Sequence, residues 1–147
     1  MAKHSEKELL SQAEIISNFG IWELDIKANA LSWSDGVFRI CGYEPKEFEV
    51  TYEKNLSVIH PDDRAIFIEQ IQNTIATGKE FDVRKRFITK DGSIKHINSK
   101  GKLIKDFNGN GIKISGVFQD ISQTVALETA YQKITSDLEA LMENTPD

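Results

Sequence analysis

The feature that most constrains the fold is a strand-like segment that passes into a helical one with no turn between them. Residues 111–121 are rich in β-branched and aromatic side chains, which is typical of a buried strand. From Ser122 onward the apolar residues recur about every 3.5 residues, and no Gly or Pro interrupts the transition. A sheet and a helix are therefore expected to join directly at Asp120, Ile121 and Ser122, so that a change in the sheet would reach the helix.

The helix after this junction carries an apolar seam. Its members are spaced four, three, four and three residues apart, which is the a/d pattern of a coiled coil. They are Leu127, Tyr131, Ile134, Leu138 and Leu141. Two arrangements remain open: the seam pairs with a second chain in a parallel dimer, or it folds back on its own sheet. In both arrangements the seam should be buried, and a domain that ends in such a helix is expected to be a sensor or regulatory module.

Composition and charge disfavour several other classes of protein. With 147 residues, of which 39% are hydrophobic and 28% charged, the chain fits one soluble domain with flanking segments. Its net charge of −5, with Lys and Arg dispersed among acidic residues, disfavours nucleic-acid binding. The single cysteine, Cys41, cannot form an intrachain disulfide, which favours a cytoplasmic location. No apolar run is long enough to span a membrane, although the parent protein could be membrane-attached.

The first half of the chain predicts helices around a short hairpin. Residues 1–18 form an amphipathic helix, and the alternation of apolar residues from Trp22 to Ile26 predicts the first of two paired strands. Short helices follow Ser34, and His60-Pro61 begins the longest helix of the domain. The inward stripe of that helix is predicted to be Ile66, Phe67, Ile71 and Ile75.

The second half predicts a meander of three strands. Turns at Lys90-Asp91-Gly92 and Asn108–Gly111 separate residues 81–89, 93–105 and 111–121, and such turns tolerate the positive φ of tight hairpins. The element order is then β-β-α-α-α-β-β-β. We therefore predict an α+β fold in which helices cover one face of a five-stranded antiparallel sheet.

This order, together with four short motifs, resembles the PAS domain family. The motifs are Gly42-Tyr43-x-Pro45, His60–Asp63, Lys90–Gly92 and Gly116–Ser122. The resemblance covers about residues 19–123 and is closest to the subclass with an appended C-terminal PAC-type motif. It divides the chain into an N-terminal helix (1–18), a PAS domain (19–122) and a linker or coiled-coil helix (123–147).

The resemblance implies a ligand- or partner-sensing module that is usually dimeric. Such modules lie upstream of a histidine kinase of a two-component phosphorelay, a cyclic-dinucleotide enzyme or another PAS repeat. Asp120-Ile121-Ser122 looks like the family's Asp-Ile-Thr and is expected to relay the signal. The tail, Leu141–Asp147, looks like the start of a second PAS domain, or is simply the end of a helix.

A catalytic role is disfavoured by the residues available. The histidines are His4, His60 and His96, and the sequence contains no Gly-rich phosphate loop, zinc-ligand spacing or nucleophile motif. A photoactive flavin is disfavoured because Cys41 lies in Arg-Ile-Cys-Gly-Tyr, unlike the reactive-cysteine helix of flavin-binding relatives. Haem-binding relatives hold the haem iron with a His on the long helix. Haem is therefore disfavoured here, because no His lies between Asp62 and Gly78. The cofactor, if any, is unknown.

A small organic ligand stays open. Ser99 and Gly101 are small and could leave space on the inner sheet face beside larger apolar residues, although small residues also allow tight packing. The candidate pocket is formed by Phe38, Ile71, Phe87, Ser99, Gly101 and Phe118. We therefore expect a sensory module, most consistent with a sensor histidine kinase, with a ligand-free dimerisation and relay scaffold as the alternative.

Overall fold

The computed structural model describes the backbone of residues 2–144 and the side chains of residues 6–144. The predicted order of strands and helices in the domain is confirmed. The elements are α1 (Ala2–Ser17), β1 (Phe19–Asp25), β2 (Ala30–Trp33), α2 (Asp35–Ile40), α3 (Tyr52–Val58), a 3-10 turn (Pro61–Asp63), α4 (Arg64–Thr77), β3 (Phe81–Ile88), β4 (Ile94–Lys105), β5 (Gly111–Asp120) and α5 (Ser122–Glu143).

The five strands form one antiparallel sheet in the order β2-β1-β5-β4-β3. The last strand in the chain, β5, is central because it pairs with both β1 and β4. Helices α2, α3 and α4 contribute buried residues to the same core as the inner sheet face. The α+β, PAS-like architecture predicted from the sequence is therefore confirmed.

A row of residues across four strands explains why two central positions are glycine. Phe81, Gly101, Gly116 and Trp22 are in register on β3, β4, β5 and β1. A Cβ at Gly101 would overlap the Phe81 ring, and a Cβ at Gly116 would overlap the Trp22 ring. The two glycines thus let the Trp22 and Phe81 rings stack over the middle of the sheet, with centroids 6.1 Å apart.

Three local predictions need correction. Ile66 and Ile75 are 42% and 41% exposed, because α4 turns Phe67, Ile71 and Thr74 toward the sheet at steps of four and three. Ile112 is 44% exposed, and burial along β5 begins only at Ile114. The helix after His60 begins as a 3-10 turn, and α4 itself starts at Arg64.

Candidate functional site

The residues of the predicted pocket are all buried in the core. Phe87 and Phe118 pack edge to face with ring centroids 5.0 Å apart. Ser99 on β4 is paired with Phe118 on β5. Phe38 instead belongs to a second aromatic cluster with Trp33 and Phe48. The remaining members, Ile71 on α4 and Gly101 on β4, are also buried.

Gly101 does not leave the free space that its small size suggested. The ring of Phe81, the residue opposite Gly101 on β3, covers the position where a side chain would lie. Sequence reasoning missed this because the neighbour of a residue across a sheet depends on strand register, which the local pattern does not give. Between the sheet and α4, the ring of Trp22 packs against the ring of Phe67 with centroids 6.3 Å apart.

The inner sheet face contains a lysine that the sequence analysis did not single out. Lys85 is only 3% exposed, and its Nζ lies 4.1 Å from the centroid of the Phe67 ring. Among the described residues this Nζ has no hydrogen-bond partner. Burial lowers the pKa of Lys85 to about 7.

Strand alternation was the signal that could have found Lys85. It stands between Arg84 and Arg86, so the three residues look like one solvated basic run. On a strand, however, Lys85 shares its face with Phe81 and Phe87 and not with the two arginines. The period-two alternation of the strand therefore indicates that the Lys85 side chain lies in the core.

Two more buried polar atoms lie on this inner face without a partner within residues 2–144. They are Ser99 Oγ and Trp22 Nε1, and both side chains are fully buried. The other indole differs, because Trp33 Nε1 donates a hydrogen bond of 3.0 Å to Asn55 Oδ1. The inner face thus presents polar groups that the fold itself does not satisfy.

The residues after His60 do more than start a helix. As expected for helix initiation, His60 Nδ1 accepts a hydrogen bond from the Asp62 backbone N–H. Asp63, however, binds β3: its carboxylate accepts from the Arg86 backbone N–H at 2.8 Å and from Arg86 Nε and Nη2 at 3.0 and 2.9 Å. These bonds hold the pKa of Asp63 below its ordinary value. The start of α4 is thereby fixed to the edge of the sheet.

The predicted relay residues lie at a junction of backbone and side-chain hydrogen bonds. Asp120 Oδ1 accepts from the Ser122 N–H at 2.9 Å, and Asp120 Oδ2 lies 3.5 Å from Lys95 Nζ. Ser122 Oγ accepts from the His96 N–H at 3.0 Å, while the Ile121 N–H donates to the His96 carbonyl at 2.8 Å. The first residues of α5 are thus bound to the start of β4.

The same junction also touches the N-terminal helix. The Asp120 N–H donates a 2.8 Å hydrogen bond to the carbonyl of Asn18, the residue that links α1 to β1. Beside it lies a cleft of about 110 Å³ whose lining includes Glu14, Arg39, Lys95 and Asp120. Both terminal helices therefore leave the sheet at neighbouring points.

The seam of α5 is exposed in the single chain. Its residues Leu127, Tyr131, Ile134, Leu138 and Leu141 are 56–72% exposed. The alternative in which the seam folds back on its own sheet is therefore wrong for this chain. The first turns of α5 are instead held to β3 by Glu128, whose two carboxylate oxygens accept from Arg84 at 2.8 and 3.0 Å.

Three further features concern Cys41, metal ions and membrane spans. Cys41 is fully buried, and burial raises the pKa of its thiol to about 12. Within residues 2–144, no cluster of three or more His, Cys, Asp or Glu side chains could hold a metal ion. None of the helices in that part of the chain combines the length and apolar character that crossing a membrane requires.

Comparison with known proteins gives consistent results. A family model described as the PAS fold matches residues 30–118. Sensor protein FixL of Bradyrhizobium diazoefficiens is 31% identical over 134 residues, which cover 90% of this chain and 26% of FixL. A blue-light-activated histidine kinase of Brucella anthropi is 24% identical over 143 residues, or 97% of this chain and 28% of the kinase. This chain therefore spans about a quarter of the length of these relatives.

The fold also matches solved structures. A sensory box histidine kinase/response regulator from Burkholderia thailandensis E264 superposes with a TM-score of 0.71 at 26% identity. The match covers 89% of this chain and 98% of that structure. The similarity thus extends beyond the sheet to nearly the whole chain.

Proposed function

Because this chain belongs to the PAS domain family, we propose that it is the sensory module of a signal-transduction protein and relays its signal through α5. The family occurs in sensor histidine kinases and related signalling proteins. The observation that carries the proposal is an output helix bonded to the sheet at one end and exposed along its apolar seam. We place the module in the cytoplasm and any catalytic activity in other parts of the parent chain.

The relay step follows from the bonds at the junction. A shift of β4 or β5 moves His96, Lys95 or Asp120, and each of these residues is bonded directly to the junction or the first turn of α5. With 22 residues, α5 extends the movement over about 33 Å at 1.5 Å per residue. A rotation at the sheet would therefore be carried well outside the domain.

The output step requires a second copy of the chain. The a/d spacing of the seam is that of a helix pair, and its exposure in the monomer leaves it available for pairing. We infer a parallel homodimer in which the two α5 helices pair and lead into a histidine kinase or another output domain. The apolar side of α1, including Leu9, Ala13 and Ile16, could extend the same contact. The expected start of a second PAS domain falls partly on residues 145–147, outside the described residues.

A second candidate function is a dimerisation and relay scaffold without a ligand. It is favoured by the contacts among the aromatic rings of Trp22, Phe67, Phe87 and Phe118 on the inner face of the sheet. Both candidates use the same junction and seam, so they differ only in whether the core binds a small molecule.

Native mass spectrometry of the purified chain at micromolar concentration tests the proposal. We expect a dimer, and a retained small molecule would appear as additional mass on the folded protein. A dimer without additional mass, under conditions that preserve weak complexes, would favour the scaffold. A monomer at all concentrations up to about 100 times the working concentration would contradict relay by helix pairing.

A further inference from the structure

The edge strand β3 has a short stretch of open backbone. In an antiparallel sheet, alternate residues of an edge strand direct both their N–H and their C=O away from the neighbouring strand. Arg86 is one of these residues, because its N–H donates to Asp63 and its C=O accepts from the His60 N–H. By the same alternation, the backbone N–H and C=O groups of Asp82 and Arg84 also point outward. Among the described residues, these groups have no hydrogen-bond partner.

The open stretch has a limit at each end. At one end, β3 begins at Phe81. At the other end the edge is covered, because Arg86 is bonded to the residues before α4 and Ile59 forms a bridge with Phe87. The two outward-facing residues between these limits are both exposed. The edge is therefore open to another strand only at Asp82–Arg84.

The charges on this stretch complement a second copy of the same stretch. Asp82 and Arg84 lie on the outer face of the sheet, on either side of Val83. If two β3 strands pair antiparallel about Val83, Asp82 of each copy lies opposite Arg84 of the other. Opposite charges in directly opposed positions stabilise a strand pair, whereas like charges destabilise it. A shift of the register by two residues in either direction would place Asp82 opposite Asp82 or Arg84 opposite Arg84.

We propose that the β3 edges of two copies of this chain pair antiparallel about Val83 and join the two sheets. In this register the Asp82 N–H donates to the Arg84 C=O of the second copy, and the Arg84 N–H donates to its Asp82 C=O. The resulting hydrogen bonds satisfy every open backbone group of the stretch on both edges. The contact is isologous, because each copy contributes the same surface.

This contact is distinct from the helix pairing proposed above, because it contains no residue of the α5 seam. It involves only Asp82–Arg84 of each copy, and contacts of this size are transient, so we expect a dissociation constant on the order of 0.1 mM. Arg84 also binds Glu128 of α5 through one N–H of each terminal nitrogen. Its guanidinium has further N–H donors that can bind the opposing Asp82. The sheet edge and the output helix thus share one arginine.

Amide exchange measured by NMR on the unmodified chain tests the pairing without any substitution. The N–H groups of Asp82 and Arg84 should exchange roughly threefold more slowly at about 1 mM protein than at about 10 µM, because pairing removes them from water. The N–H groups of β2, at the opposite edge of the sheet, should show no such dependence on concentration.

Disulfide cross-linking tests the register. Directly opposed residues in a pair that exchanges no hydrogen bonds have Cα atoms about 4.5 Å apart, which a disulfide can span. Val83→Cys should therefore form a linked dimer under mild oxidation. Lys100→Cys, at an exposed position on the outer side of β4, is the matched control and should cross-link at least about tenfold more slowly. The native Cys41 is buried and should not compete.

Exchange of the charges, made in the Val83→Cys chain, tests the complementarity. Asp82→Arg puts a cation opposite Arg84, and Arg84→Asp puts a carboxylate opposite Asp82, so each variant alone should cross-link at least about threefold more slowly. A mixture of the two should restore cross-linking between the variants, because opposite charges again face each other. Both positions are exposed, so the fold should tolerate either change. Glu128→Gln removes the ion pair of Arg84 with α5 and should cross-link like the Val83→Cys chain.

The proposal is overturned if Val83→Cys cross-links no faster than Lys100→Cys, or if exchange at Asp82 and Arg84 is independent of concentration. It is also overturned if the mixture of charge variants cross-links as slowly as each variant alone. These outcomes leave the relay through α5 intact, because none of the substituted residues belongs to its seam. A chain whose β3 edges pair but whose α5 seam does not would lose only the relay.

Discussion

At the scale of single residues, position on a face matters more than residue type. Lys85 is a strand lysine between two arginines, and alternation alone places it in the core. There its surroundings lower its pKa to about 7, whereas a lysine in an unfolded chain titrates near 10.5. This difference gives the protein a stability that depends on pH in a defined direction.

We predict that Lys85→Met stabilises the protein most at low pH. Below about pH 7 both the folded and the unfolded chain bind the Lys85 proton, so the full cost of burying the charge applies. Between pH 7 and about 10 the unfolded chain binds more protons than the folded one, so the free energy of unfolding rises with pH. Methionine removes this dependence, with a gain on the order of a few kcal/mol at pH 6 that shrinks by pH 9. Urea unfolding of both proteins at pH 6 and pH 9 measures this gain. The same pH dependence of the free energy of unfolding in both proteins would contradict the prediction.

At the scale of elements, the central strands are joined by the row of Phe81, Gly101, Gly116 and Trp22. The two glycines are required by the aromatic rings above them and not by unusual backbone angles, since neither is among the glycines with positive φ. Close packing of this kind tolerates little added volume.

We predict that Gly116→Ala destabilises the domain by roughly 1–3 kcal/mol, the usual cost of forcing extra volume into a packed core. The new methyl group would overlap the Trp22 ring and the Lys100 carbonyl oxygen. Thermal unfolding measures the effect. Ser115→Ala, one residue away on the outer side of β5, is the matched control and should change the free energy of unfolding by less than about 0.5 kcal/mol. Equal free energies of unfolding for Gly116→Ala and the control would contradict the prediction.

The junction between β5 and α5 is the second element-scale feature. We predict that Asp120→Ala loosens the first turn of α5 and leaves the sheet intact, because the Ser122 N–H loses its carboxylate acceptor and Lys95 loses its partner. Amide exchange should become several-fold faster at Ser122 and its neighbours, with unchanged protection in β4 and β5.

A matched control for the junction comes from farther along the same helix. Asp137→Ala removes the ion pair between Lys133 and Asp137, two exposed residues that lie one helical turn apart. It should leave exchange at the junction unaltered, since such surface pairs contribute little. Unchanged exchange at Ser122 in Asp120→Ala would mean that the carboxylate does not couple the sheet to the helix.

At the scale of the whole molecule, the two terminal helices leave the sheet at neighbouring points. The carbonyl of Asn18, after α1, accepts a hydrogen bond from Asp120, which precedes α5. A signal that arrives through α1 and a signal from the core would thus reach the output helix at the same place. In the proposed relay, the exposed seam pairs with the same seam of a second chain.

We predict that Ile134→Glu converts the dimer to a monomer. Ile134 lies in the middle of the seam and is 59% exposed in the single chain, so a carboxylate there costs the monomer little but would be buried twice in a helix pair. The association constant should fall at least about a hundredfold. Gln132→Glu adds the same charge on the opposite side of the helix and should remain dimeric. Sedimentation equilibrium distinguishes the two, and equal association of both variants would rule out this seam.

Local pattern was enough for much of the architecture. The alternation at Trp22 and Leu24, the glycine turns at Gly92 and Gly109 and the heptad from Leu127 to Leu141 are short-range properties, and each predicted its element correctly. They also located the junction at Asp120–Ser122, because a change of apolar period with no turn is visible in the chain itself.

What the pattern could not supply is which residues meet across the sheet. The ring of Phe81 covers Gly101 because β3 and β4 pair in one register, and Asp63 binds Arg86 because α4 starts beside the edge strand. Lys85 Nζ has no hydrogen-bond acceptor among the described residues, because the nearby carboxylate of Asp63 is bonded to Arg86. Such contacts join residues far apart in the chain, so they depend on how strands and helices pack, whereas periods and turns depend on neighbours a few residues away.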